Sequence, residues 1–195
     1  MAYAKLTLSD CIQSLADRHD NGTVPTASAV LTKYTRLLNR GVAYCSDRLR
    51  MSKNTSLTTS SGTVALPDDF IVVNEVHDSS GNTLSMVDPE DTSAQYGFVY
   101  WVTGNQTDGF SLNTLADDTY SVDYSFRPSP MSSNSDVCII PDIEAVVAYS
   151  YAMLRKSESD PFEDSELSLQ ECDYRLKEMQ SAYAQNTDAL TFTWI

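Results

Sequence analysis

The chain has 195 residues, 42% of them hydrophobic, which fits one domain or a core carrying one inserted subdomain. Its formal net charge of −14 opposes nonspecific nucleic-acid binding. No apolar run reaches the length of a membrane-spanning helix, and the N-terminus lacks the apolar stretch of a secretory signal.

The charge is unevenly spread. Residues 1–53 hold 8 basic and 4 acidic side chains, residues 54–140 hold 1 and 12, and residues 141–195 hold 4 and 11. Excess positive charge is therefore confined to the N-terminal segment. The four cysteines, Cys11, Cys45, Cys138 and Cys172, show no CxxC or Cys/His spacing. They read as free buried thiols of a reducing compartment.

Thr7 caps a first helix, with Asp10 in its first turn and an apolar stripe of Leu8, Cys11, Ile12, Leu15 and Ala16. Asp20-Asn21-Gly22 ends it. Pro25-Thr26 starts a longer helix over about residues 27–51, with Ala27, Val30, Leu31, Tyr34, Leu37, Leu38, Val42, Cys45 and Leu49 at helical steps. Gly41, in its middle, costs about 1 kcal/mol relative to alanine, which predicts a close helix crossing there. Lys33, Arg36, Arg40, Arg48, Arg50 and Lys53 make the remaining surface basic.

From Asn54 the pattern turns to β. Residues 55–59 and 63–66 read as short strands around Ser60-Ser61-Gly62. Leu66-Pro67-Asp68-Asp69-Phe70 feeds a strand to His77, and Asp78–Asn82 is a hairpin turn returning along residues 83–87. Asp88-Pro89-Glu90-Asp91 opens one or two helical turns. Residues 98–103 and 110–112 are strands. In Tyr120–Arg127, Tyr120, Val122, Tyr124 and Phe126 alternate with polar residues, which marks a half-buried strand expected to close the sheet. Pro141-Asp142 begins a third, central helix with Ile143, Val146, Val147, Ser150, Tyr151 and Leu154 on its stripe. A fourth spans residues 165–186. The tail carries Leu190, Phe192, Trp194 and Ile195.

The fold class predicted is α+β. A four-helix core (residues 1–53 and 139–187) carries an inserted antiparallel β-sandwich or barrel module (54–138) and a C-terminal tail (188–195). No catalytic motif is present. His19 sits at a helix C-terminus and His77 at a strand end. The pairs Asp68/Asp69, Glu90/Asp91, Asp117/Asp118 and Glu163/Asp164 read as turn and cap chemistry. A loop calcium site near Asp117 lacks the ligand spacing of such sites. No enzyme, cofactor or metal is expected. Two features point to assembly. The basic helix face (Lys33, Arg36, Arg40, Arg48, Arg50) suits an acidic neighbour in a head-to-tail contact. The apolar tail suits docking on another chain.

L-P-D-D-F at Leu66–Phe70 with the following I-V-V-N-E-V, Y-W-V-T-G-N at Tyr100–Asn105, and Y-S-V-D-Y-S-F-R-P at Tyr120–Pro128 carry a resemblance. With two helices before and two after, they resemble the head–tail adaptor (head completion or portal connector) proteins of tailed bacteriophages over residues 25–186. Tyr44 departs from the pattern, standing where relatives often have tryptophan. The resemblance implies a ring, usually of twelve copies, in the virion neck after assembly in the host cytoplasm. The ring would bind a portal, extend its DNA channel without specific DNA binding, and seat a tail, stopper or nozzle protein. A terminal segment reaching into the portal is implied too, and residues 190–195 are the candidate. Two competitors are a stopper or tail-terminator ring, which four helices disfavour, and a carbohydrate- or receptor-binding module using Tyr96, Tyr100, Trp101 and Tyr120.

Overall fold

A computed structural model describes residues 5–88, 97–158 and 162–184. Among these, the chain forms four helices and seven strands, an α+β fold. The described parts of Met1–Arg50 and Pro128–Leu190 form one compact helical unit, and Met51–Arg127 forms a β-unit. The chain thus changes unit at Arg50/Met51 and Arg127/Pro128. The polar loop 128–138 goes with the helices, where sequence patterning places it in the β-module. The physical reason is local bonding: Asn39 brackets Met131 through its N (2.8 Å) and O (2.9 Å), and Cys138 N donates to Leu6 O at 2.8 Å.

In the helical unit, α1 is Leu8–His19. Thr7 and Asp10 close a capping box, and the buried face is Leu8, Cys11, Ile12, Leu15 and Ala16, as the spacing predicts. Helix α2, Ser28–Leu49, buries Tyr34, Leu37, Leu38, Gly41, Val42, Cys45 and Ser46. It ends on Arg50 in the left-handed region (φ 52), a position usually given to glycine. Helix α3, Ile143–Ser157, is capped by Asp142 and is central, packing against α1, α2 and α4 (Phe162–Ala184). Leu8, Leu15, Leu38 and Leu154 are almost fully buried, each contributing about 1.5–3 kcal/mol of hydrophobic transfer.

The β-unit has two sheets. One orders β1 (Ser52–Thr58), β7 (Thr119–Phe126) and β3 (Phe70–His77) as β1-β7-β3. The other orders β2 (Thr63–Ala65), β6 (Gly109–Thr114), β5 (Val99–Asn105) and β4 (Ser85–Met86) as β2-β6-β5-β4. Both contribute to one core, which includes Val73, Val76, Tyr120 and Val122 from the first and Tyr100 and Leu112 from the second.

Two expectations are corrected. Strand β7, expected to close the sheet, joins β1 and β3 as its middle strand, and its alternation follows from burying one face in the core. The return strand after Asp78–Asn82 does not continue the hairpin. The turn forms, with Asp78 Oδ1 accepting from Ser80 N (2.9 Å) and Asn82 N (2.8 Å). One bridge, His77 with Thr83, follows it, and Leu84 is buried in the core. Beyond Leu84 the chain leaves β3, and Ser85–Met86 pairs with β5 in parallel. The module is therefore not wholly antiparallel. The helical start expected at residues 89–91 lies outside the described residues.

Gly41 lies against α3. A Cβ built there would sit 2.9 Å from both Ser150 Oγ and Val146 O. Gly41→Ala gains about 1 kcal/mol of helix propensity but must push the two helices apart. The expected outcome is a net loss of about 1–3 kcal/mol in urea unfolding. A variant more stable than the parent would show that the crossing has slack.

Candidate functional site

No group of three or more His, Cys, Asp or Glu side chains is placed to hold a metal ion among the described residues. The acidic turn residues serve the backbone. Asp117 accepts from Gly62 N (2.6 Å), and Asp118 accepts from Ser79 N (3.1 Å) and Ser79 Oγ (2.8 Å). Donated hydrogen bonds hold the Asp78 and Asp118 carboxyls below the usual carboxylate range, led by Asn82 at Asp78 and Ser79 at Asp118. His77 lies 3.3 Å from Glu75. His19 ties three helices together: Nδ1 meets Asp20 Oδ1 and Tyr34 Oη of α2, both at 2.9 Å, and Nε2 meets Oε2 of Glu158, the α3 C-cap, at 3.0 Å. The doubly protonated ring satisfies both carboxylates at once, a neutral ring only one. Every polar group here bonds to another part of the fold, so the arrangement is a latch.

A larger ionic cluster went unseen in the sequence. Arg18, in the last turn of α1, forks onto Glu171 of α4 at 2.8 and 2.9 Å and reaches Glu144 of α3 at 2.7 Å. Arg175 adds contacts of 3.0 Å to Glu171 and to the α3 cap Asp142. The Arg18 guanidinium holds the Glu171 carboxyl below the usual range, working against partial burial, with Arg175 adding to the effect. Partners 126 and 153 residues apart leave no local signal.

The five residues of the predicted basic face are not used alike. Lys33 pairs with Glu158 at 3.4 Å. Arg48 lies over the Tyr44 ring at 5.0 Å. Tyr44, the departure from the resemblance, stacks on Tyr149 at 4.4 Å and donates to Asp173 at 3.2 Å. Arg36, Arg40 and Arg50 are exposed, and their guanidinium groups have no hydrogen-bond or ion-pair partner among the described residues. Arg36 and Arg40 are one turn apart on one stripe, while Arg48 lies about 120° around the helix from Arg36. The tail residues Leu190, Phe192, Trp194 and Ile195 lie outside the described residues.

In the β-unit the motif residues converge on Asp69. Its carboxylate takes Lys53 Nζ at 2.6 Å and Tyr124 Oη at 3.1 Å, and its carbonyl takes Arg127 N at 2.7 Å. Phe70 packs beside Tyr124 and Phe110. The aromatic sugar platform does not form among the described residues. Tyr100 and Tyr120 are each 4% exposed and belong to the core, and Tyr96 lies outside them. A cleft of about 200 Å³ does open in this unit, lined by Leu84, Phe98, Val99, Leu115 and Ala116 with aspartates at its edge.

The description SU10 adaptor protein matches residues 6–191, nearly the whole chain. The chain belongs to the SU10 adaptor protein family. This is a phage head–tail adaptor family, so the protein is a structural adaptor of the virion that works through other head and tail proteins. No curated protein matches the chain significantly.

The Arg18–Glu171 fork predicts a pH dependence. A carboxyl lowered by folding adds stability above its unfolded value, and that stability is lost as pH falls through the folded one. Glu171→Gln should melt below the parent at neutral pH, and the gap should close below about pH 4. A gap that stays constant to acid pH would remove the fork from the account.

Proposed function

We propose that this SU10-family adaptor assembles as a ring beneath the portal, extends the DNA channel and offers the platform on which the tail is seated. The observation that carries this reading is the set of arginines the fold leaves unused. Arg18, Lys33, Lys53, Arg155 and Arg175 each hold a carboxylate of their own chain. Arg36, Arg40 and Arg50 on the α2 side do not, nor do Lys5, Arg48, Arg127, Lys156 and Lys177 among the described residues, in a chain of net charge −14. Exposed cations on a chain rich in carboxylates suit a head-to-tail contact with the acidic surface of the next copy, since heterologous surfaces close into rings. Arg50 supports this further. It holds a left-handed position that glycine would occupy more cheaply, by about 1 kcal/mol, which suits a side chain retained for a contact outside its own chain.

The acidic balance suits a conduit. Duplex DNA passing an acidic wall is repelled and stays mobile, because attraction to phosphate needs lysine and arginine facing the lumen. In this reading Leu190, Phe192, Trp194 and Ile195 form the apolar anchor toward the portal, and the ring carries about twelve copies by likeness to such adaptors in general. The virion neck is the site of action, and the tail, stopper or nozzle protein binds the far side.

Native mass spectrometry of the chain with and without its cognate portal tests both parts. The double variant Arg36→Glu/Arg40→Glu should lose at least about tenfold in ring or portal-bound copies, with a melting shift below about 2 °C, since exposed substitutions cost little. Removing residues 188–195 should abolish portal capture and leave the fold intact. Undiminished assembly by the charge-reversed variant would sink the basic-face contact, and undiminished capture by the truncated chain would sink the tail anchor.

A further inference from the structure

All four cysteines of the chain lie in the helical unit, and all are buried. They are not scattered there. Cys11 and Cys138 interact through their side chains, as do Cys45 and Cys172. The backbone explains each pairing independently. The segment before α3 is zipped along the start of α1: Cys138 N donates to Leu6 O at 2.8 Å, Leu8 N donates to Asp136 O at 2.8 Å, and Thr7 bridges Val137. Helices α2 and α4 are pinned on both sides of the second pair, Tyr44 to Asp173 at 3.2 Å and Gln180 to Arg48 O at 2.8 Å. The partners are 127 residues apart in each case. Each pair therefore joins a segment that precedes the β-unit to one that follows it.

We propose that these pairs are two latent disulfides, Cys11–Cys138 and Cys45–Cys172, that remain thiols in a reducing cytoplasm and close once the protein meets oxidising surroundings. A virion component crosses between those two conditions when it leaves the cell. The oxidant class is a low-molecular-weight disulfide such as oxidised glutathione. Cys138 as thiolate attacks one glutathione sulfur and releases one glutathione thiolate. Cys11 as thiolate then attacks Cys138 Sγ of the mixed disulfide and releases the second. Two protein thiols lose two protons and two electrons, and one glutathione disulfide becomes two glutathione thiols. Cys172 and Cys45 follow the same steps. Cys138, 7% exposed against 0% for Cys11, is the member of the first pair that glutathione reaches first. Attack requires local opening. Cys138 sits in an irregular segment, whereas Cys45 and Cys172 are locked between helices, so the first pair closes faster. Each bond encloses the whole β-unit in its loop, the geometry in which a cross-link removes most unfolded-state entropy.

The test uses the isolated chain and so stands apart from the ring reading. The native protein is incubated with oxidised glutathione, its remaining thiols are alkylated, and unreduced peptides are mapped by mass spectrometry. The Cys11–Cys138 link should appear first and Cys45–Cys172 later, with the melting temperature raised by roughly 10 °C when both are closed. The variant Cys11→Ala/Cys138→Ala should form only the Cys45–Cys172 bond, and Cys45→Ala/Cys172→Ala only the other. Stable glutathione adducts, exchanged links such as Cys45–Cys138, no reaction after a day, or closed bonds without a rise in melting temperature would each overturn the proposal.

Discussion

The approach of α2 to α3 is the constraint on which the helical unit depends. Gly41 offers no side chain there, and Ser150, fully buried, fills the gap. Its hydroxyl lies 2.7 Å from Val146 O on its own helix and 3.1 Å from Leu37 O on the other. A buried hydroxyl is tolerated only when it is bonded, and these carbonyls satisfy it. The rest of α3 is built for closeness, since Ala145, Ala148 and Ala152 are fully buried and add little girth. Because α3 carries small residues, α1 and α4 can reach it as well, and the carboxylates of Glu144 and Glu171 come within range of one guanidinium. The ionic cluster is thus downstream of the packing. On its own, such a partly exposed network would hold little.

What could be read from the sequence follows from this division. Periodicity reports which face of an element is buried. It found the stripe of α1, the glycine crossing and the alternation of Tyr120, Val122, Tyr124 and Phe126 without any partner being known. It does not report which element lies opposite. That is why alternation alone does not reveal that β7 is the centre of its sheet, and why the hairpin return expected over residues 83–87 does not form. A turn such as Asp78–Asn82 fixes the local reversal, but Leu84 decides where the chain goes next by burying in the core. The loop 128–138 shows the same limit from the polar side. Its serines and asparagine look like linker chemistry, yet Asn39 and the α1 start supply the bonds that seat it.

The site was legible to a different degree. Basic residues at helical spacing announce a positive surface, but spacing cannot tell which of them the fold will use. Lys33 pairs with Glu158 and the exposed Arg48 lies over the Tyr44 ring, and Arg36, Arg40 and Arg50 are left over. That remainder is the informative quantity for an adaptor, because paired cations have already lost much of the attraction they could offer a neighbour. The motif around Asp69 behaves in the opposite way. Its letters are recognisable in the sequence, and the geometry shows them working inward: the aspartate gathers Lys53, Tyr124 and Arg127 and fixes the start of β3 against the end of β7. The residues that carry the family resemblance therefore maintain the β-unit.

The four thiols show the same limit of sequence spacing inside the helical core. Isolated cysteines on apolar stripes are ordinary core residues, and nothing in their spacing suggests pairing. Pairing across 127 residues is a property of the topology, since it needs the segments on either side of the insertion to return to one another. The same topology gives a cross-link its leverage. Without the β-unit between them, either pair would still close a loop of about 50 residues; the insertion adds roughly 1 kcal/mol, because loop-closure entropy grows with the logarithm of length. With it, each thiol contact spans most of the chain, and two interacting thiol pairs inside one small core become the places where oxidation would most restrict unfolding of the helical unit.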